Sequence, residues 1–378
     1  MSRQSSQRPL HIGKYLPPVR GGMETYLGDL LRALSRAGSD VAALVHAKSG
    51  YETSGSEAFG RAKVFYTQTL GEWFFTPIAP RFRSALRRAL RQFRPTLLHF
   101  HMPNVSAFWA LTLPEARRLP WVIHWHADVD PAGKHRFLRW SYPFYRPLER
   151  LMLRRSAVIV VTSEPYLAAS RALSPYRDRC RIVPLGLDLD RLRAMGAGSA
   201  NTSSPWRPDA RKKVLAVGRL TYYKGFDLLI QAIALRPECD LVIVGQGPGL
   251  ASLGALATSL GVTMRVRFLS NVEDAQLAAL YKSCDVVCLP SIDRSEAFGM
   301  VLLEAAYFGA GIIAADIPGS ATGTVALSLG GAVFPVGSVV ELASRLGQAG
   351  RSPEKVSLES QIRIDVEPIT ALYRKIAD

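Results

Sequence analysis

The chain has 378 residues, 48% of them hydrophobic, enough for about two domains at roughly 100–200 residues each. No apolar run approaches the roughly 18–20 residues of a spanning helix, no signal-peptide core follows the polar, basic first ten residues, and Cys180, Cys239, Cys284 and Cys288 make no CxxC pair. These features argue against a membrane-spanning, secreted or disulfide-built protein and favour a reducing cytosol. The net charge of +16 sits in one half: residues 1–188 hold 28 Lys/Arg against 13 Asp/Glu, and residues 189–378 hold 19 against 18. A basic first half implies an anionic partner for it.

Leu10-His-Ile reads as a first strand, followed by the loop Pro17–Gly22. Met23, Tyr26, Leu27, Leu30, Leu31 and Leu34 then fall at helical spacing over Met23–Ala37. Val41–His46, Thr96–His101, Trp121–His124 and the β-branched run Val158–Thr162 read as further strands, the last covered on both faces. Met195–Pro208 is rich in Gly, Ser, Ala and Pro and reads as a loop or linker. A second alternating set follows. Its strands are Lys213–Val217, Asp240–Val244, Arg265–Leu269, Asp285–Pro290 and Gly311–Ala315. Its helices are Phe226–Leu235, Gly249–Leu260, Asp274–Ser283 and Gly299–Phe308, and Glu367–Asp378 is a terminal helix. Such alternation predicts an α/β protein of two Rossmann-like domains with a cleft between them, the ligand sites lying outside the carboxyl ends of the strands. The expected domains are residues 1–190 and 191–364, with the helix 365–378 returning to the first.

Two carboxylates frame the most informative stretch, Glu296-Ala-Phe-Gly-Met-Val-Leu-Leu-Glu304, where a strand hands over to a helix. Free N–H groups at a helix start favour anions and sugar hydroxyls. A carboxylate there suits a ligand with both phosphates and hydroxyls, such as a nucleotide sugar. Gly218-Arg219-Leu-Thr-Tyr-Tyr-Lys224-Gly225 follows a strand, and its two cations can neutralise a diphosphate; a solvated basic loop is the plain alternative. Gly21-Gly22-Met-Glu24 permits close backbone approach at a helix start, or is simply a turn. Gly245-Gln-Gly247-Pro248 lacks the full dinucleotide fingerprint and reads as a tight turn.

His99, His101, His124 and His126 gather at two strand ends. His124-x-His126 is read with its side chains on opposite faces, which leaves His126 as the cleft candidate. Too few ligands of suitable geometry are evident for zinc, so no metal is expected. Asp128-Val-Asp130 reads as a chance match to a cation-binding DxD. Two basic aromatic segments, Arg81–Arg94 and Arg136–Arg146, suit an anionic membrane surface, or they are surface helices packed on their own domain. No nucleic-acid motif is evident.

In order along the chain, Gly21-Gly22-Met-Glu24, His126-Ala-Asp128, Val183-Pro-Leu-Gly-Leu-Asp188, Gly218-Arg219 with Lys224-Gly225, Gly245-x-Gly247-Pro248, Cys284–Ser291 and Glu296–Glu304 resemble the family 4 retaining glycosyltransferases of the GT-B fold. The resemblance implies that Arg219 and Lys224 hold the donor diphosphate and that Glu296 contacts the donor-sugar hydroxyls. The stretch Ala297, Phe298, Gly299, Met300 and Val301 then offers backbone donors, and Glu304 binds the ribose. It also implies that Gly21 and Gly22 approach the diphosphate and that His126 lies beside the transferring sugar. No cofactor or metal is implied beyond the nucleotide sugar. Where the family carries a Gly-x-x-Glu loop, this chain has Asp316-Ile-Pro-Gly-Ser-Ala-Thr-Gly-Thr324.

Trp125-His126-Ala-Asp128 and Ser174–Pro184 look most like bacterial exopolysaccharide mannosyltransferases acting on lipid-linked saccharides. The expected partners are therefore GDP-mannose, a polyprenyl-diphosphate-linked acceptor and the anionic inner face of the plasma membrane, where the protein would be peripheral. The alternatives are a UDP- or dTDP-sugar enzyme for lipopolysaccharide or another glycan, an epimerase or phosphorylase of the same fold, a periplasmic-type binding protein and a nucleic-acid-binding module.

Overall fold

The computed structural model describes residues 7–48, 55–73, 76–129, 136–201, 204–351 and 359–377. The chain forms two compact units, Met1–Pro184 with Ile364–Asp378, and Leu185–Arg363.

The first unit is built on β1 (Pro9–Ile12), β2 (Ala42–Ala47), β3 (Lys63–Gln68), the short hairpin β4 (Gly71–Trp73) and β5 (Thr76–Ile78), then β6 (Leu97–Met102), β7 (Trp121–Trp125), β8 (Val158–Val161) and β9 (Cys180–Ile182). Its seven-stranded sheet runs in the order β3-β2-β1-β6-β7-β8-β9 with parallel pairing throughout. β1, β2, β6 and β7 are buried along their whole length, as a parallel sheet covered on both faces requires. The strand order reverses between β1 and β6. Register there sets His11 beside His99, and between β6 and β7 it sets His101 beside His124.

The second unit holds β10 (Lys212–Val217), β11 (Cys239–Val244), β12 (Val266–Leu269), β13 (Val286–Leu289), β14 (Gly311–Asp316) and β15 (Ala332–Pro335), in the parallel order β12-β11-β10-β13-β14-β15. The reversal here falls between β10 and β13. Its core joins β10, β11 and β13 to the helix Phe226–Ala234 through Phe226, Leu229, Ile230 and Ile233, all essentially inaccessible. All four cysteines are buried free thiols, Cys284 and Cys288 flanking or lying in β13.

Two expectations change. The stretch expected as a linker from Met195 instead closes a helix, Leu189–Ala197, continued by a 3₁₀ turn at Gly198–Asn201. Asp188 caps it, accepting from the Asp190 N–H at 3.2 Å, while Leu189, Leu192 and Met195 are its buried side. Three apolar positions among small residues are a faint periodic signal, and the cap outweighs the glycines. The second change concerns the helix Phe82–Phe93. Its stripe of Phe82, Leu86, Leu90 and Phe93 is buried within the first unit, so it is core and not a membrane face. Leu86→Ala should therefore cost about 2–5 kcal/mol of stability. Chemical denaturation measures this, and a loss under about 1 kcal/mol, the size of a surface change, would return the stripe to the surface.

Candidate functional site

The second unit brings two loops together at its strand-order reversal. After β10 the chain runs through Gly218 and Arg219 into a 3₁₀ turn, Tyr222–Lys224. Gly225 follows with φ +63, and a Cβ there would lie 2.0 Å from the carbonyl oxygen of Pro290, just after β13. Only glycine meets both demands. The close approach is held by the Ile292 N–H, which donates to the Tyr223 carbonyl at 2.8 Å.

This closeness sets Lys224 Nζ 2.5 Å from Glu296 Oε2, with both side chains 12% exposed. The Ser291 hydroxyl donates to the same carboxylate oxygen at 3.0 Å. Burial works against the lysine's charge, but the attraction of Glu296, the Tyr223 phenol and the hydrogen bond to Glu296 outweigh it, so the ammonium is held above its ordinary range. Arg219 lies at the start of the same loop and is exposed.

The stretch after Glu296 is fixed from both sides. Ala297 and Phe298 are buried. Gly299, at φ +85, opens the helix Met300–Tyr307, whose first turn holds Met300 and Val301. The departing loop Asp316–Thr324 clamps this segment: the Ser320 hydroxyl donates to the Glu296 carbonyl, the Ala321 N–H to the Ala297 carbonyl at 3.0 Å, and Arg294 Nε to the Gly319 carbonyl at 3.0 Å. One turn into the helix, Glu304 accepts from the Tyr281 hydroxyl at 2.9 Å and pairs with Arg191 at 3.3 Å. The Gly245-Gln-Gly247 turn supports the β10 loop, with the Leu220 N–H donating to the Gln246 carbonyl at 2.8 Å.

In the first unit, Gly21 precedes the helix Gly22–Arg36, and the Glu24 carboxylate folds back so that a Cβ on Gly21 would lie 2.1 Å from it. His126 follows β7 and is 6% exposed. The expectation that His124 and His126 face opposite ways is corrected. Their rings stack at 4.3 Å with 3° between planes, because residues two apart on a strand share a face. His11, His99 and His101 complete the cluster on the same side of the sheet. Asp128 is structural, accepting from Trp125 Nε1 at 2.8 Å and the Ser170 hydroxyl at 2.7 Å. Asp130 lies outside the described residues.

Two protein-family models match the chain. One, described as glycosyl transferases group 1, covers residues 201–359, and the other, a glycosyl transferase 4-like domain, covers residues 21–186. The chain belongs to family 4 of the GT-B glycosyltransferases. It is 29% identical to an O-antigen chain mannosyltransferase of Escherichia coli, over 92% of this chain and 90% of that protein. It is also 29% identical to a GDP-mannose-dependent phosphatidylinositol monomannoside mannosyltransferase of Mycobacterium tuberculosis, over 90% and 88%. A D-rhamnosyltransferase of Pseudomonas aeruginosa is 33% identical over 62% of this chain and 57% of its own. Among solved structures, sucrose-phosphate synthase from Thermosynechococcus elongatus shares the fold at a TM-score of 0.68 and 20% identity, covering 98% of this chain and 92% of that one. HepE of Anabaena, in complex with UDP, does so at 0.63 and 20%, covering 98% and 93%.

The transferase is a hexosyltransferase. Its structure joins Lys224 to Glu296 and adds partners that sequence reasoning passed over: Ser291, Ser320, Tyr281 and Arg191. Ser291 closes the quoted Cys284–Ser291 stretch without a role assigned to it, and Ser320 carries no local signal, since its role depends on how the loops meet. Arg191 was missed with its helix.

The paired charges of the transferase make a stability prediction. Glu296→Ala leaves a buried ammonium unpaired and should cost about 3–5 kcal/mol. Adding Lys224→Met should recover part of that loss, and additive losses in denaturant melts would show the pair to be uncoupled.

The histidines make another. Burial pushes His11 and His126 down to about 3. Burial likewise takes His46 down to about 4, partly countered by its hydrogen bond to the Lys14 carbonyl. An unfolded histidine takes its proton near pH 6.5. Between these values the unfolded chain binds more protons, so stability falls as pH falls. Each of the three contributes about 1.4 kcal/mol per pH unit. The raised Lys224 acts elsewhere: its contribution is complete below the ordinary lysine pKa and is lost only as pH rises through the higher folded value. The first unit of the transferase should thus destabilise steeply from pH 6.5 to 4, and a melting temperature flat across that window would contradict the buried neutral cluster.

Proposed function

We propose that this transferase moves mannose from GDP-mannose, with retention, to a polyprenyl-diphosphate-linked oligosaccharide in exopolysaccharide assembly. The observation that carries the donor is similarity over about nine-tenths of the chain to relatives described as an O-antigen mannosyltransferase and a GDP-mannose-dependent mannosyltransferase. The Lys224–Glu296 arrangement supports the chemistry. Arg219 and Lys224 take the donor diphosphate. Lysine has three N–H donors, so it can keep Glu296 while turning one toward a phosphate oxygen. Glu296 anchors sugar hydroxyls, the start of the helix Met300–Tyr307 with Ala297, Phe298 and Gly299 offers N–H groups, and Glu304 takes the ribose. His126 and the Gly21-Gly22 backbone are the first unit's contacts to the donor.

As the bond from C1 to the diphosphate breaks, negative charge grows on the leaving phosphate. Preorganised cations and helix-start dipoles stabilise that charge, and losing one such donor costs about 2.7–4 kcal/mol of barrier. The acceptor oxygen bonds C1 on the same face, and the leaving phosphate takes the acceptor's proton, so neither a protein base nor a metal is needed. Lys224→Ala should then lower kcat by about 10²–10³.

The relative described as a D-rhamnosyltransferase favours a second reading, a deoxyhexose donor. The test is hydrolysis and binding with GDP-mannose, GDP-rhamnose, UDP-glucose, UDP-GlcNAc and dTDP-rhamnose, without metal. Selective use of GDP-mannose is expected. Selective use of another sugar removes the mannosyl reading, and a strict metal requirement removes the metal-free mechanism.

For the membrane, the helix Arg136–Arg155 is the face we propose. Trp140 and Phe144 are 68% and 70% exposed, Leu148 and Leu151 continue the stripe, and Arg139, Arg150 and Arg154 are exposed beside it. No helix among the described residues is long and apolar enough to cross a membrane. Aromatics flanked by arginine suit the surface of an anionic bilayer. Trp140→Ala with Phe144→Ala should weaken binding to phosphatidylglycerol vesicles at least tenfold, and binding should fall with salt. Equal affinity of the variant, or indifference to salt, would exclude this face.

A further inference from the structure

Four imidazoles and one phenol of the first unit stand in single file. His126 Nε2 lies 2.9 Å from His101 Nδ1. His101 Nε2 lies 3.1 Å from His11 Nδ1. His11 Nε2 lies 3.4 Å from the Tyr373 hydroxyl, which is 2.5 Å from His99 Nδ1. The file ends at His99 Nε2, which is buried and has no partner among the described residues. At the other end only His126 reaches the surface at all, with 6% exposure against 1% or less for the other three.

Burial keeps all four rings neutral: His11 and His126 are pushed down to about 3, and His99 and His101 well below their ordinary value. A neutral imidazole has one N–H and one lone pair. Each link then needs a donor on one side and an acceptor on the other; a Tyr373 oxygen accepting from both neighbours would bury its own O–H unpaired, which leaves two polarities for the file. The far end chooses between them. In one polarity His99 carries its proton on Nε2 and buries an N–H with no acceptor. In the other it carries the proton on Nδ1, donates to the Tyr373 oxygen and leaves only a lone pair unused. Orphaned buried N–H groups are the rarer of the two. From there every link follows. The Tyr373 hydroxyl donates to His11 Nε2, His11 Nδ1–H to His101 Nε2, and His101 Nδ1–H to His126 Nε2. His126 is left with its own proton on Nδ1.

We propose that Tyr373, on the terminal helix, is a positioning residue that fixes His126 as a neutral Nδ1–H hydrogen-bond donor and not a base. The functional half of this rests on the proposed place of His126 beside the transferring sugar. It agrees with a reaction in which the leaving phosphate takes the acceptor's proton.

A shared metal is the competing account of the cluster. Nitrogens of His11, His99 and His101, and of His101, His124 and His126, do approach within 4.8 Å of one another. Ligands around a tetrahedral zinc stand only about 3.4 Å apart, given bonds near 2.0–2.1 Å. The His124 and His126 rings stack at 4.3 Å with 3° between planes, so their in-plane lone pairs run side by side and do not converge on one ion.

The test is long-range ¹H–¹⁵N spectroscopy of the full chain labelled in histidine, with His126 assigned through His126→Gln. His126 should show the Nδ1–H tautomer in the native protein. Tyr373→Phe keeps the ring in place and should shift His126 to a mixture or to Nε2–H. It should also lower kcat about two- to tenfold, the effect of one hydrogen bond, with donor KM unchanged. An Nε2–H tautomer in the native protein, a tautomer unmoved by Tyr373→Phe, or one equivalent of bound zinc each overturns the proposal. A shifted tautomer with native kcat removes the positioning role. Absence of turnover with every nucleotide sugar removes the proposed function instead, since the tautomer is read from spectra without substrate.

Discussion

The second unit turns on one contact, the Lys224–Glu296 ion pair. Its two residues come from loops that leave neighbouring strands in opposite topological directions, and the pair exists because Gly225 lets those loops touch. Taking two charges out of water is costly, so such a pair persists only where other groups hold it. Ser291 supplies one of these and the clamped loop at Ser320 and Ala321 the others. The result is a cation and an anion held side by side. Under the proposed function, a donor that carries phosphates and hydroxyls together would meet both partners already oriented, with little reorganisation left for the moment of reaction.

The first unit follows a different rule. Along β1, β6 and β7 its buried polar side chains are the histidines His11, His99, His101 and His124, and burial keeps them uncharged. Where the second unit organises charge, the first organises hydrogen-bond direction.

Much of this was legible in the sequence. Hydrophobic runs and turn residues located the alternating strands and helices. The Glu296–Glu304 frame fell at the start of a helix after β13. What was not legible depends on contacts between distant segments. Arg81–Arg94 and Arg136–Arg155 look alike as basic aromatic stretches, yet the first buries its stripe and the second leaves Trp140 and Phe144 in solvent. Nothing local separates them, because burial depends on which helix the sheet has room to cover. The helix from Leu189 was hidden by Gly196 and Gly198, and its Arg191 reaches Glu304, far along the chain. His124 and His126 were misjudged for a simpler reason: strand periodicity puts them on one face, and the parallel register then adds His101 and His11 to it.

The first unit is not continuous in sequence. Its sheet is made early in the chain, yet Tyr373, from the last stretch, is buried against His99. During synthesis, which proceeds from the amino end at about 5–20 residues per second, the second unit has all of its residues before the first has its final one. The first unit must wait, with its histidine file open at one end, for the helix that carries Tyr373 to emerge from the ribosome, so the polarity proposed for the file is set only after the second unit has been made.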